Sequence, residues 1–161
     1  MFVVHLINTH NRKRIAFIRG PEENEEAEHR YRVYRDVLEE YGMPLLEELV
    51  VSGDFSRTSG VEAVDLLFDG GRRAPDAIVA ADDYMALGVV EALQARDILV
   101  PRQVAVVGFD DVEEARFSEP PLTTVHQPLY EKGRFATETI IAMLRGEAVA
   151  DRLVMHTDLV T

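Results

Sequence analysis

Four short apolar runs, each followed by a longer amphipathic stretch, constrain this chain more than any other feature. Residues 15–18 (Ile-Ala-Phe-Ile), 49–51, 77–80 and 104–107 are continuously apolar, the pattern of strands covered on both faces. Between them the spacing turns helical. Over 24–41, Ala27, Tyr31, Tyr34, Leu38 and Tyr41 fall on one stripe, with Gly42 placed to end the helix. Ser56 opens a helix over 56–69 closed by Gly70-Gly71, Asp82 or Asp83 caps one over 84–96, and a last helix spans 129–144. This alternation predicts an α/β fold, a doubly wound and mostly parallel sheet with helices on both faces. Pro120-Pro121 marks a turn before a crossing segment at 122–125, and a strand over 152–160 closes the chain.

Composition narrows the function. The 161 residues, 47% of them hydrophobic, suffice for one core. A net charge of -12 repels DNA and anionic membranes, so any control of DNA runs through another segment. With no cysteine there is no disulfide frame or zinc-thiolate site. No apolar run is long enough to span a bilayer, and the first residues lack the charge order of a signal peptide; the expected setting is the cytoplasm. The opening Phe2, Val3, Val4, Leu6 and Ile7 read as the end of a helix that begins upstream.

A sheet of this kind binds ligands beyond the carboxyl ends of its strands. Four loops leave those ends, at 20–24, 53–56, 81–83 and 108–111. Two carry paired aspartates, one opens the helix that contains Arg30, and one carries Phe55. Carboxylates accept from vicinal hydroxyls, a guanidinium donates in a fork, and a ring covers an apolar face, a set suited to a neutral polyhydroxy or heterocyclic ligand. From spacing alone, helix capping accounts for Asp82, Asp83, Asp110 and Asp111 equally well. Phosphate-cradling glycine loops, a His-Glu-x-x-His pair and a nucleophile elbow are all missing. The expectation is a binding module, not an enzyme, with no cofactor and no metal. Strand-end aspartates also occur in phospho-acceptor receiver domains, which hold magnesium. Those need a lysine after a late strand, whereas Lys13 precedes the first strand and Lys132 lies within the last helix.

Longer stretches resemble the LacI/GalR family of effector-binding sensor domains. They are 14–21 followed by Arg30 and Tyr34, Gly53-Asp54-Phe55-Ser56 with Ser59-Gly60, the run 75–88 around Asp82-Asp83-Tyr84-Met85, and 104–111 followed by 120–128. Their order and spacing hold across nearly the whole chain. The resemblance implies a periplasmic-binding-protein-like type I fold of two lobes around a cleft. The second lobe would be nearly complete (1–127 and 149–161), the first represented by one helix (128–148). It further implies that Arg30, Phe55, Asp82, Asp110 and Gln127 face a small-molecule effector, sugar-like or nucleoside-like. Many members carry Asn where Asp82 stands, which alters ligand choice, and Gly where Val33 stands, which alters helix packing. A homodimer is implied through 56–61, 86–90 and 114–119, with Val90 as its test position, and the apolar face of the 129–144 helix is expected to lie bare. DNA would be touched only by a segment outside this chain. Relatives joined to a diguanylate cyclase or histidine kinase share features of 19–22 and 127–131, and a solute-binding transport protein is the alternative from another class.

Overall fold

The computed structural model describes residues 2–69, 73–150 and 154–161. Four of the apolar runs form one parallel sheet: β1 (Ile15–Arg19), β2 (Val50–Ser52), β3 (Ala77–Ala80) and β4 (Ala105–Val107), ordered β2-β1-β3-β4. The register pairs Phe17 with Val50 on one side and with Val79 on the other. The chain leaves β1 for the β2 edge, then returns past β1 to β3 and β4. Its direction reverses between β1 and β3, which puts a crevice at their carboxyl ends.

Helices α1 (Phe2–Asn8) and α2 (Glu25–Glu40) pack on each other, as do α3 (Arg57–Phe68) and α4 (Asp83–Gln94). The stripe expected on α2 holds in its middle, while Tyr31 is half-buried and Tyr41, at the C-cap, is exposed. Ala27, Tyr34 and Leu38 are buried, and Tyr34 stacks on Phe17 at 4.9 Å while its hydroxyl donates to the Ile15 carbonyl. A buried phenol needs such a partner, because an unmade bond costs about 1–3 kcal/mol. Helices α3 and α4 touch backbone to backbone. A Cβ added at Gly60 would lie 2.1 Å from the Met85 carbonyl oxygen, and one at Gly88 2.0 Å from that of Arg57.

The later segments depart from expectation in part. The crossing segment carries β5 (Thr124–His126), flanked by parallel bridges from Val107 to Thr123 and from Asp110 to His126. The closing strand is shorter than 152–160. β6 covers Asp158–Val160 and pairs antiparallel with β5 in a separate two-stranded sheet; residues 151–153 lie outside the described residues. So do Gly70-Gly71, the expected helix stop; α3 ends at Phe68. Val90 is 4% exposed and belongs to the core, so it is not a surface test position. Helix α5 (Glu113–Phe117) precedes the Pro120-Pro121 turn. The last helix, α6 (Leu129–Leu144), has no buried residue, and Leu129, Ile140, Met143 and Leu144 are exposed.

Candidate functional site

Arg30 stands in the second turn of α2, whose start is fixed by Asn24 accepting from the Ala27 N–H. That turn overhangs the β1–β3 crevice. The Arg30 side chain is only 10% exposed, and a guanidinium so buried must have its donors satisfied. Nη1 donates to the Ala81 carbonyl at 2.7 Å, and Nη2 to Glu26 at 3.1 Å, with Asp110 Oδ1 3.8 Å away. The guanidinium also lies 3.9 Å from the centroid of Phe109, a cation–π contact. Phe109 is braced edge-on by Phe2 of α1.

Asp110 leaves β4 with a φ of 116°, and Asp111 follows at 56°. Two successive aspartates in the left-handed half of the map are held there by their surroundings. Asp83, fully buried, accepts from the Thr124 hydroxyl at 2.6 Å and the Val112 N–H at 2.9 Å. Asp111 pairs with Arg116 and His126. With the loop clamped from both sides, the Asp110 carboxylate accepts from the Gln127 amide. Burial raises the Asp110 pKa, opposed by the Gln127 hydrogen bond and the Arg30 charge.

Lys132 of α6 completes the arrangement. Its ammonium donates to Glu26 at 3.1 Å and to the Gln127 side-chain oxygen Oε1 at 3.2 Å. Arg30, Glu26, Lys132, Gln127 and Asp110 therefore form a closed polar ring, with the Arg30–Asp110 edge its longest. The Lys132 hydrogen bond is the main reason the Glu26 carboxyl sits below its usual range. Beside the ring opens a cavity of about 1170 Å³, lined among others by Arg30, Phe109, Gln127, Lys132 and Phe135. Five glutamates between Glu22 and Glu28 stand at its rim.

Of the five residues expected to face a ligand, the structure brings Arg30, Asp110 and Gln127 together. Asp82 is 4% exposed at the same strand ends, one residue beyond the carbonyl that Arg30 holds. Burial is the largest cause of its pKa rising to about 6, with the Asp110 charge adding and the Met85 N–H opposing. It is the helix cap of the four aspartates, accepting from Met85 N at 3.0 Å; Asp83, Asp110 and Asp111 are engaged elsewhere, so capping does not explain them. Phe55 sits apart from the cavity. Its φ of 67° turns the ring against Gly20, where an added Cβ would meet Cε1 at 2.4 Å. Phe109, Glu26 and Lys132 were not among the residues expected to face a ligand. Phe109 could have been found as the aromatic between Gly108 and Asp110 in a strand-end loop, but nothing local ties Lys132 to Glu26, 106 positions away.

Residues 3–161 match the family model for the periplasmic binding protein-like domain. The HTH-type transcriptional regulator CelR of Thermobifida fusca is 42% identical over 157 residues, 96% of this chain and 45% of that protein. The ribose operon repressor of Escherichia coli K12 is 39% identical over 128 residues, 80% of this chain and 38% of that protein. Among solved structures, a transcriptional regulator CelR–cellobiose complex superposes with a TM-score of 0.88 at 38% identity, covering 98% of this chain and 48% of that one. The chain thus spans less than half the length of these curated relatives.

Proposed function

This chain belongs to the periplasmic-binding-protein-like domain family, and from that premise we propose that it is the second lobe of the effector sensor of a LacI-type transcriptional regulator. Residues 1–127 and 149–161 make up that lobe, and 128–148 cross to the first. The observation that carries the reading is the convergence of Arg30, Asp110 and Gln127 at the switch point of the sheet, where such folds hold their ligands. Asp82 borders the same strand ends.

The chemistry suits a neutral, sugar-like effector. Arg30 and Gln127 donate, Asp110 and Asp82 accept, and the Phe109 ring, pinned by Arg30, offers an apolar surface. A ligand bridging these groups to a facing lobe favours the closed arrangement, and lobe angle then biases the output domain. Two relatives point to saccharides by name, one in complex with cellobiose and one a ribose operon repressor.

The role is binding, not catalysis, in the cytoplasm. No helix among the described residues is long and apolar enough to cross a membrane. The full-length protein works as a homodimer, with DNA contacted by its head segment. On this lobe the dimer face is the groove bordered by Arg57, Glu114, Phe117 and Glu119, with Phe117 80% exposed. The test is calorimetric titration of the full-length regulator with cellobiose, ribose and a wider panel of neutral sugars and nucleosides. Saturable heat with a raised melting temperature is expected for at least one. Silence across the panel overturns the proposal.

A further inference from the structure

We infer that Lys132, paired with Glu26, sets the charge class of ligand the cavity accepts, admitting neutral polyhydroxy compounds and rejecting sugar acids and sugar phosphates. This rests on the sensor reading above and goes beyond it, because it assigns selectivity to residues outside the expected contact set.

The polar ring decides the point. An ammonium carries three N–H donors, and Lys132 commits two of them to Glu26 and Gln127. One remains for a hydroxyl. Arg30 commits Nη1 to Ala81 and Nη2 to Glu26. Each cation of the ring thus has a carboxylate beside it, and the ring carries no net charge. A second carboxylate brought by a ligand finds both cations already neutralised. It also meets the rim of Glu22, Glu23 and Glu25, while Glu26 and Glu28 are already paired with Lys132 and Arg19. Bringing like charges together in a partly dehydrated cavity is unfavourable, and specificity of this kind comes from what the site repels. A hydroxyl, which both donates and accepts, fits the remaining Lys132 donor without disturbing the ring.

The pair also works across a gap. Glu26 is on α2 and Lys132 on α6, which has no buried residue of its own. A ligand in contact with both reads the position of α6 as well as its own shape.

The test uses the full-length regulator with cellobiose, ribose and glucose as neutral probes and with cellobionate, gluconate and glucose 6-phosphate as anionic ones. Wild type is expected to bind a neutral probe at least about tenfold more tightly than its anionic counterpart. Lys132→Met, at a half-exposed position that leaves the core intact, weakens the neutral probe by at least about tenfold, whereas Lys132→Arg stays within about threefold. Glu26→Gln uncovers a cation and shrinks the neutral-over-anionic preference by at least about tenfold. Wild-type affinity in Lys132→Met, or an unchanged preference in Glu26→Gln, overturns the inference and leaves the sensor reading standing. Failure of wild type to bind any saccharide overturns both.

Discussion

The guanidinium of Arg30 stands 3.9 Å over the ring of Phe109 while its Nη1 holds the Ala81 carbonyl. One side chain thus joins α2, the loop after β3 and the loop after β4. Arg30→Lys keeps a positive charge but not the planar fork, so it cannot stack and donate at both places. Affinity for the effector should fall by at least about tenfold. Phe109→Leu should cost less, on the order of 1 kcal/mol of binding, because it keeps apolar cover and loses the cation–π contact. Calorimetric titration of both variants checks the ranking; equal losses would mean the ring, not the fork, dominates.

Asp110→Asn separates ligand contact from local structure. Asn tolerates a positive φ nearly as well as Asp and its oxygen can still accept from Gln127. What disappears is the charge facing Arg30. Effector binding should weaken by at least roughly tenfold, about 1.4 kcal/mol, with little change in melting temperature. Unchanged affinity would remove Asp110 from the site.

Asp82 imposes a pH dependence whose sign follows from its pKa. The folded value of about 6 lies above the ordinary 3.8, so between those values the folded state keeps a proton that the unfolded chain has lost. Its contribution to stability is therefore present in acid and is lost as pH rises through that window. Asp82→Asn keeps the cap on Met85 and abolishes the titration. It should stabilise the fold near neutrality by on the order of 2 kcal/mol and flatten stability between about pH 4 and pH 7. Denaturant unfolding across that range compares the two; parallel pH profiles would contradict the assignment.

Thr124→Val leaves Asp83 Oδ1 without its 2.6 Å donor in a fully buried position. Destabilisation of about 1–3 kcal/mol is expected. Because Asp83 also holds Val112 and so clamps the Asp110 loop, effector affinity should drop as well. Stability loss with full affinity would show that the loop holds Asp110 without the clamp.

Gly88→Ala puts a methyl 2.0 Å from the Arg57 carbonyl oxygen, and neither backbone has a flexible end to move aside. The α3–α4 contact must open, at a cost of about 1–3 kcal/mol or more. Gly133→Ala is the control, since nothing lies within 4 Å of that position. Thermal unfolding of both variants distinguishes a packing constraint from loss of helix flexibility.

Much of the architecture was legible in the chain itself. Buried parallel strands must be continuously apolar, so 15–18, 77–80 and 104–107 declare themselves, and the 3.6-residue stripe of Ala27, Tyr34 and Leu38 declares α2; 49–51 has the same pattern, but β2 lies at the sheet edge with Val50 and Val51 only half-buried. Both patterns are local consequences of which faces are covered. Strand-end loops follow from the strands, and with them Arg30, Asp82 and Asp110 as candidates. Tertiary structure decided what those candidates do. Asp82 and Asp83 are neighbours of identical composition, yet one caps α4 and the other anchors Thr124 and Val112, because their side chains leave the backbone in different directions. Phe55 and Phe109 occupy similar loops, yet a φ of 67° folds the first onto Gly20, while the second lies under Arg30. The link from Lys132 to Glu26 spans 106 residues; no periodicity or spacing encodes such a pair, since only the closing of the chain brings α6 beside the start of α2.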